Sequence, residues 1–354
     1  MDISIVDKNF KVDAEIDKSG LKFYSVDEKP FRLYGVIREG EDYVRLPSSV
    51  ARTVSPGVDE LNYDTAGGRA RFVTNSKRIA IIARFVGEQH MPHMPFSNQG
   101  GIDIYIDHRY SGTFMPPTFM PSFAFESLKT FQEGDKLVTL NFPCYGRLCE
   151  LFVGLDDGAT LTEAPEYKYE SPVVYYGSSI TQGGCASRPG MAYQAMLSRW
   201  IDCNHVNLGF SGNAMGENEI VDYMAGLDMS VFVSDYDHNA PSVEHLRATH
   251  EPLYRAIRNR NPELPIILIS RPCVTEAEDR LERLEIIKST YNKAISEGDK
   301  NVWFIDGSTL FDFDSNEYTV DDCHPTDLGF YLMAKGIEPV LREALAKSKI
   351  KSIK

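Results

Sequence analysis

Four loops carry side chains whose types and spacing suit nucleophilic chemistry. Ser179 stands in Tyr176-Gly177-Ser178-Ser179-Ile180-Thr181-Gln182-Gly183-Gly184. A serine in a glycine-rich turn can expose its hydroxyl and offer its own N–H to a developing oxyanion. The same residues also suit an ordinary Ser/Gly turn or a phosphate cradle. The stretch is not a G-x-S-x-G elbow, because Thr181 stands where that motif has glycine. Asp321 and His324 lie three apart in Asp321-Asp322-Cys323-His324-Pro325. One turn brings that carboxylate to one ring nitrogen, fixes the tautomer and leaves the other nitrogen for a serine. A lone D-x-x-H is common, so the pair counts only in company.

Two further loops supply that company. Asn207-Leu208-Gly209-Phe210-Ser211-Gly212-Asn213 places Gly212 where the backbone can approach a ligand and point an N–H at it. Asp235-Tyr236-Asp237-His238-Asn239 offers the side-chain amide of Asn239 as a donor. His238 is an alternative base, and a hydrogen-bonding role in a polar loop is the simpler reading of it.

The elements that must position these loops change in texture near residue 170. Before it, short β-rich runs (Phe31–Ile37, Ala70–Val73, Ile79–Phe85, Ile102–Ile106, Leu137–Phe142, Glu150–Val153) alternate with Gly/Pro/Asn/Asp turns such as Ser55-Pro56-Gly57 and Ser97–Gly101. That pattern predicts a β-sandwich. After it, apolar runs at Val173–Tyr176, His205–Leu208, Val231–Ser234, Pro265–Ser270 and Val302–Ile305 alternate with helical stretches. The helices are predicted over Met191–Trp200, Asn218–Met224, Ser242–Arg260, Thr275–Glu297 and Asp327–Lys347. Continuous apolar strands between amphipathic helices predict a parallel sheet covered on both faces, with function in the loops beyond the strands' carboxyl ends. The polar, proline-marked linker Glu163–Lys168 suggests domains over 1–168 and 169–354.

Taken together, Ser179, Gly212, Asn239 and Asp321/His324 occur in the order Ser, Gly, Asn, Asp-x-x-His, each on a predicted loop of one parallel sheet. That order resembles the SGNH (GDSL-like) hydrolase family over roughly residues 172–345. Tyr-Gly-Ser-Ser-Ile-Thr matches its first block, with Ser178 in the place of the usual aspartate, which singles out Ser179. Asn-Leu-Gly-Phe-Ser-Gly matches the second, and Asp321–Pro325 the fifth. The third block, usually Gly-x-Asn-Asp, keeps only Asn239. Gly101-Ile102-Asp103-Ile104-Tyr105 resembles the Gly-x-Asp-Leu-Tyr segment in the accessory β domain of two-domain bacterial members.

The resemblance implies a flavodoxin-like three-layer α/β/α domain with a five-stranded parallel sheet, preceded by a jelly-roll-like β-sandwich. It implies a serine esterase with the triad Ser179, His324 and Asp321. The oxyanion hole would consist of the N–H groups of Ser179 and Gly212 and the Asn239 amide. No metal or organic cofactor is required. A short-acyl ester on a carbohydrate, acetyl in particular, is the expected substrate, with Arg188 and His238 as candidate substrate contacts. A packing role for Arg188 is the alternative. A lipase or thioesterase of the same family, and a carbohydrate-binding protein with a decayed site, are the other readings.

Composition bounds the partners. The 354 residues carry a formal net charge of −14 and no basic cluster, which argues against nucleic acid. No apolar stretch is long enough to span a bilayer, and no secretory leader is visible, so a cytoplasmic protein is expected. Six cysteines without a C-x-x-C pair read as thiols, although Cys144 and Cys149 are close enough in sequence for a hairpin bridge. His90 and His93 could suggest a metal pair, but no acidic or thiol ligand near them in sequence completes it. The Met/Pro/His loop around them and Phe114–Phe125 are expected to reach over the catalytic face.

Overall fold

The computed structural model describes residues 3–7, 12, 15–87, 90–117, 123–272, 279–311 and 316–348. Cys273, residues 275–278 of the helix predicted over Thr275–Glu297, residues 118–122 of the Phe114–Phe125 stretch and the last lysines (Lys349, Lys351, Lys354) lie outside the described residues.

Up to residue 163 most described strands form a two-sheet β-sandwich; Arg32–Tyr34 pairs with Arg69–Thr74 at its side, and Ile37–Glu39 and Asp42–Val44 make a separate hairpin. One sheet has the order Leu21–Ser25, Leu148–Asp156, Arg78–Phe85, Ala124–Thr130. The other runs Leu161–Glu163, Arg69–Thr74, Lys136–Asn141, Ile102–Ile106, Arg109–Phe114. Most consecutive strands cross from one sheet to the other, as in a jelly roll. Every second residue of these strands points inward, so Ile79, Ile81 and Val153 of one sheet pack on Phe72, Ile104, Val138 and Leu140 of the other.

From Tyr169 onward the sheet is parallel. Its five strands have the order Cys203–Gly209, Tyr169–Gly177, Val231–Asp235, Ile266–Ile269, Val302–Ile305. Adjacent residues of each apolar run serve opposite cores. Val174 and Tyr176 pack with Leu208, Phe232 and the helices Asn218–Ala225, Val243–Arg260 and Arg280–Ser296. Val173 and Tyr175 face Val231, Val233 and the helices Tyr193–Ile201 and Asp327–Lys347. This double covering is why the strands lack polar alternation. The predicted fold class is borne out in both parts.

Two helices were not expected. Ser48–Val54 and Pro56–Leu61 fall where Ser55-Pro56-Gly57 reads as a turn. Ser55 is in fact an N-cap whose hydroxyl accepts from the Val58 N–H (3.1 Å), with Pro56 at the first helical position. Leu46, Ala51 and Val58 of this segment belong to the same core as Tyr176 and Phe210, so the first domain is wedged against the second. Likewise Phe96–Gln99 forms one short helical turn inside the predicted Ser97–Gly101 loop.

Candidate active site

The strand Tyr169–Gly177 ends at the sheet's carboxyl edge and turns directly into the short helix Ser179–Gln182. Ser178 caps that helix, its hydroxyl accepting from the Ile180 N–H (3.2 Å). Its oxygen is thereby committed locally. The Ser179 hydroxyl instead lies 2.8 Å from His324 Nε2, with the residue 5% exposed. Gly183 closes the turn at φ +107°, a conformation that suits glycine. The N–H groups of Gly183 and Gly184 donate to the Ser179 carbonyl (3.0 and 2.8 Å), and so does the Tyr145 hydroxyl (3.2 Å).

His324 stands just before the last helix. Its Nδ1 lies 2.8 and 3.1 Å from the two oxygens of Asp321, and its main-chain N–H donates to Asp321 Oδ1 (2.8 Å). Burial pushes the Asp321 carboxyl up. The bonds from His324 and from the Cys323 N–H outweigh it and hold the group below the usual carboxylate range. A bond from the Val320 N–H to the His324 carbonyl (2.9 Å) ties the loop into a closed turn. The hydroxyl, imidazole and carboxylate are thus in line.

Gly212 and Asn239 sit beyond the strands that flank the Ser179 strand on either side. Gly212 adopts φ +68° and is exposed. The N–H groups of Ser179 and Gly212 donate to no described residue. Asn239 spends one amide hydrogen on the Phe210 carbonyl (2.8 Å), which keeps the second available and ties Asn239 to the Gly212 turn. Gln182 completes the frame. Its side-chain Oε1 accepts from the Ser211 N–H (3.0 Å), and its side-chain Nε2 donates to Asp64 (2.9 Å) and to the Cys144 carbonyl (3.2 Å).

The two candidate substrate contacts have other engagements. Arg188 lies 3.6 Å from Asp103 and stacks over Tyr110 with its guanidinium carbon 3.9 Å from the ring centre, bridging the two domains. His238 Nε2 is 2.9 Å from the thiol of Cys323, the residue before His324. Burial, and then the positive charges of Arg271 and His324, pull the His238 imidazole down to about 4, so it is neutral near pH 7.

Sequence reasoning missed the residues through which the β-sandwich holds the Ser179 turn. Asp103, wholly buried, accepts from the Gly190 N–H and from Asn141 (2.7 Å each). The Asn98 amide donates to the Gly183 carbonyl (2.9 Å), and the Ser97 hydroxyl to the Ser187 carbonyl (2.5 Å). The Gly-x-Asp-Leu-Tyr-like segment is therefore an inter-domain fastener; only its motif hinted at importance. Of the two loops expected over the site, the one bearing His93 is there, its ring 5.5 Å from that of His324. Of the other, Phe114 fills the sandwich core, and Met115 lines two open grooves, one of about 550 Å³ with Arg78 and Glu126 and one of about 390 Å³ with Ser187 and Arg188. His93 also gains the partners its own stretch lacks, Cys185 and His324.

Residues 170–342 match the GDSL-like lipase/acylhydrolase family, and residues 21–161 match the N-terminal domain of SGNH-hydrolase-type esterases. No curated protein matches the chain. Among solved structures, a GDSL-like lipase from Bacteroides ovatus is 29% identical, covers 94% of this chain and all of its own, and superposes with a TM-score of 0.83. A salicylyl-acyltransferase from a tetracycline biosynthetic pathway is 21% identical over 92% of this chain and 98% of its own, with a TM-score of 0.77. A family two carbohydrate esterase from Clostridium thermocellum, in complex with cellohexaose, is 15% identical over 80% and 94%, with a TM-score of 0.59. The chain belongs to the SGNH, GDSL-like esterase family in its two-domain form and is an ester-bond hydrolase.

Proposed function

We propose that this protein is a serine esterase that removes short acyl groups, acetyl foremost, from carbohydrate esters. The observation that carries the reading is the continuous chain from Ser179 Oγ to His324 Nε2 (2.8 Å) and from His324 Nδ1 to Asp321 (2.8 Å). His324 takes the proton of Ser179 as its oxygen attacks the ester carbonyl, and Asp321 steadies the imidazolium that forms. The N–H groups of Ser179 and Gly212 and the second amide hydrogen of Asn239 receive the oxyanion. His324 then protonates the departing alcohol, and water attacks the acyl-serine with His324 as base once more.

Two features support a small acyl group and a bulky, solvated alcohol. The space beside His324 is crowded: a methyl on Gly184 would stand 3.0 Å from the Tyr145 hydroxyl and 3.2 Å from the His324 ring. The imidazole and carboxylate end of the triad is also open to solvent, with the Asp321 side chain 37% and the His324 side chain 18% exposed. The likeness to a carbohydrate esterase crystallised with cellohexaose supports the sugar side of the proposal. The test is a panel of p-nitrophenyl acetate, the octanoate ester and acetylated xylo- and cello-oligosaccharides. Acetyl turnover is expected in wild type and its loss in Ser179→Ala; equal rates in both would sink the mechanism, and a preference for octanoate would sink the substrate class.

A further inference from the structure

The nitrogen and sulfur ligand atoms of His93, Cys185 and His324 all lie within 4.8 Å of one another. The three come from distant parts of the chain. His93 arrives on a loop of the first domain that Gln99 staples in place: its side chain accepts from the Met91 N–H (2.7 Å) and donates to the carbonyls of Met91 (3.2 Å) and Met94 (2.8 Å). Cys185 is buried beneath that loop in a small cluster with Met94, Cys144 and Tyr145, its thiol turned to the His93 carbonyl (3.4 Å). His324 is the imidazole paired with Ser179.

Two imidazoles and a thiol are the donor set of a borderline-soft divalent cation. Zinc bond lengths of about 2.0–2.1 Å to nitrogen and 2.3 Å to sulfur put tetrahedral ligands roughly 3.3–3.6 Å apart. A contraction of about 1 Å by side-chain rotation would therefore close the triangle and leave a fourth position for water. We propose that His93, Cys185 and His324 bind Zn²⁺, and that the bound ion shuts off hydrolysis by occupying the imidazole that serves Ser179. The ion takes up the Cys185 thiolate and two neutral imidazoles, and the thiol proton passes to solvent. The site does not depend on the esterase reading, but its inhibitory consequence does.

Asp321, Cys323 and His324 form a second triangle around the same imidazole. The Cys323→Ser variant separates the two triangles, because only the second uses that thiol.

Titration of the full-length protein with Co²⁺, without ester, reads the site directly, since thiolate ligation gives a near-ultraviolet charge-transfer band. The band is expected in wild type, Ser179→Ala and Cys323→Ser, and is expected to vanish in Cys185→Ser. His93 is not buried, so His93→Asn leaves the core untouched; it is expected to weaken Co²⁺ binding roughly tenfold or more. Zn²⁺ is expected to suppress wild-type p-nitrophenyl acetate turnover reversibly, with EDTA restoring it, and His93→Asn to need correspondingly more Zn²⁺. Absence of the band in wild type, its survival in Cys185→Ser, its loss in Cys323→Ser or unchanged binding in His93→Asn would each overturn the site. Zn²⁺ bound without inhibition would overturn the shut-off while leaving the site. If no ester is turned over at all, the band still decides the metal question separately.

Discussion

The Tyr145 hydroxyl, carried by the β-sandwich, donates to the main-chain carbonyl of Ser179 in the parallel-sheet domain at 3.2 Å. Gly183 and Gly184 serve the same oxygen from within the turn. Tyr145→Phe keeps the ring and removes one of three donors. A hydrogen bond of this kind contributes about 0.5–1.5 kcal/mol. The expected outcome is a loss of about three- to tenfold in kcat with KM nearly unchanged, read from steady-state kinetics on p-nitrophenyl acetate.

Asp321→Asn preserves an oxygen for the His324 and Cys323 N–H groups but not the charge that orients the ring. The neutral amide can present a donor to Nδ1 and so favour the wrong tautomer, as in other triads of this logic, where the loss is about 10⁴-fold. A kcat drop of three to four orders of magnitude is expected, with an unaltered circular dichroism spectrum. A loss under tenfold would remove Asp321 from the triad.

Asn239→Ala removes the one donor of the proposed oxyanion hole that belongs to a side chain. Losing such a donor costs about 10²–10³ in kcat. The substitution also frees the Phe210 carbonyl, so a thermal melt is needed alongside the kinetics. A kinetic loss far larger than any stability loss is the expected pattern.

Asp103→Ala strands the Gly190 N–H and the Asn141 amide in a buried site and leaves the Arg188 charge without its nearest carboxylate. Breaking buried polar pairs of this kind costs about 2–4 kcal/mol. A lower urea midpoint is expected, together with weakened turnover, because the Gly190 loop leads back to Ser179.

Asp235 supplies a pH test of stability. It accepts from Thr181 (3.1 Å) and Tyr193 (3.2 Å), and burial, followed by the nearby Asp237 charge, raises its carboxyl to about 8. Its ordinary value is 3.8. Between those values the folded chain holds a proton that the unfolded chain has lost, so this group's contribution to stability falls as pH rises through the window. Asp235→Asn mimics the protonated form. Its melting temperature is expected to match wild type near pH 4 and to exceed it increasingly up to about pH 8. A constant difference across that range would show that Asp235 does not titrate this way.

The parallel half was legible because its strands are apolar on both faces, and period alone finds such runs. Val302–Ile305 and Asp327–Lys347 have the predicted bounds, and the Val243–Arg260 helix is capped by Ser242 as its sequence suggests. The residues around Ser179, Gly212, Asn239 and His324 were legible because each occupies a loop that the sheet must bring to one edge. Ser48–Val54 and Pro56–Leu61 were hidden by a local ambiguity: Ser-Pro-Gly can begin a helix as readily as it makes a turn.

What sequence did not disclose is the traffic between the halves. Tyr145, Asn98, Asp103 and Gln182 each bond to groups at least 34 residues away. Periodicity reports that a position is inside, not what it meets there. The same holds for His93, whose neighbours in space are 92 or more residues further along the chain.

The fastening of the sandwich to the Ser179 turn bears on how such a protein can be recombined. Exchanging the first domain for a foreign one would transplant more than a binding attachment: the newcomer must bring its own counterparts of Asp64, Asn98, Asp103 and Tyr145 in register.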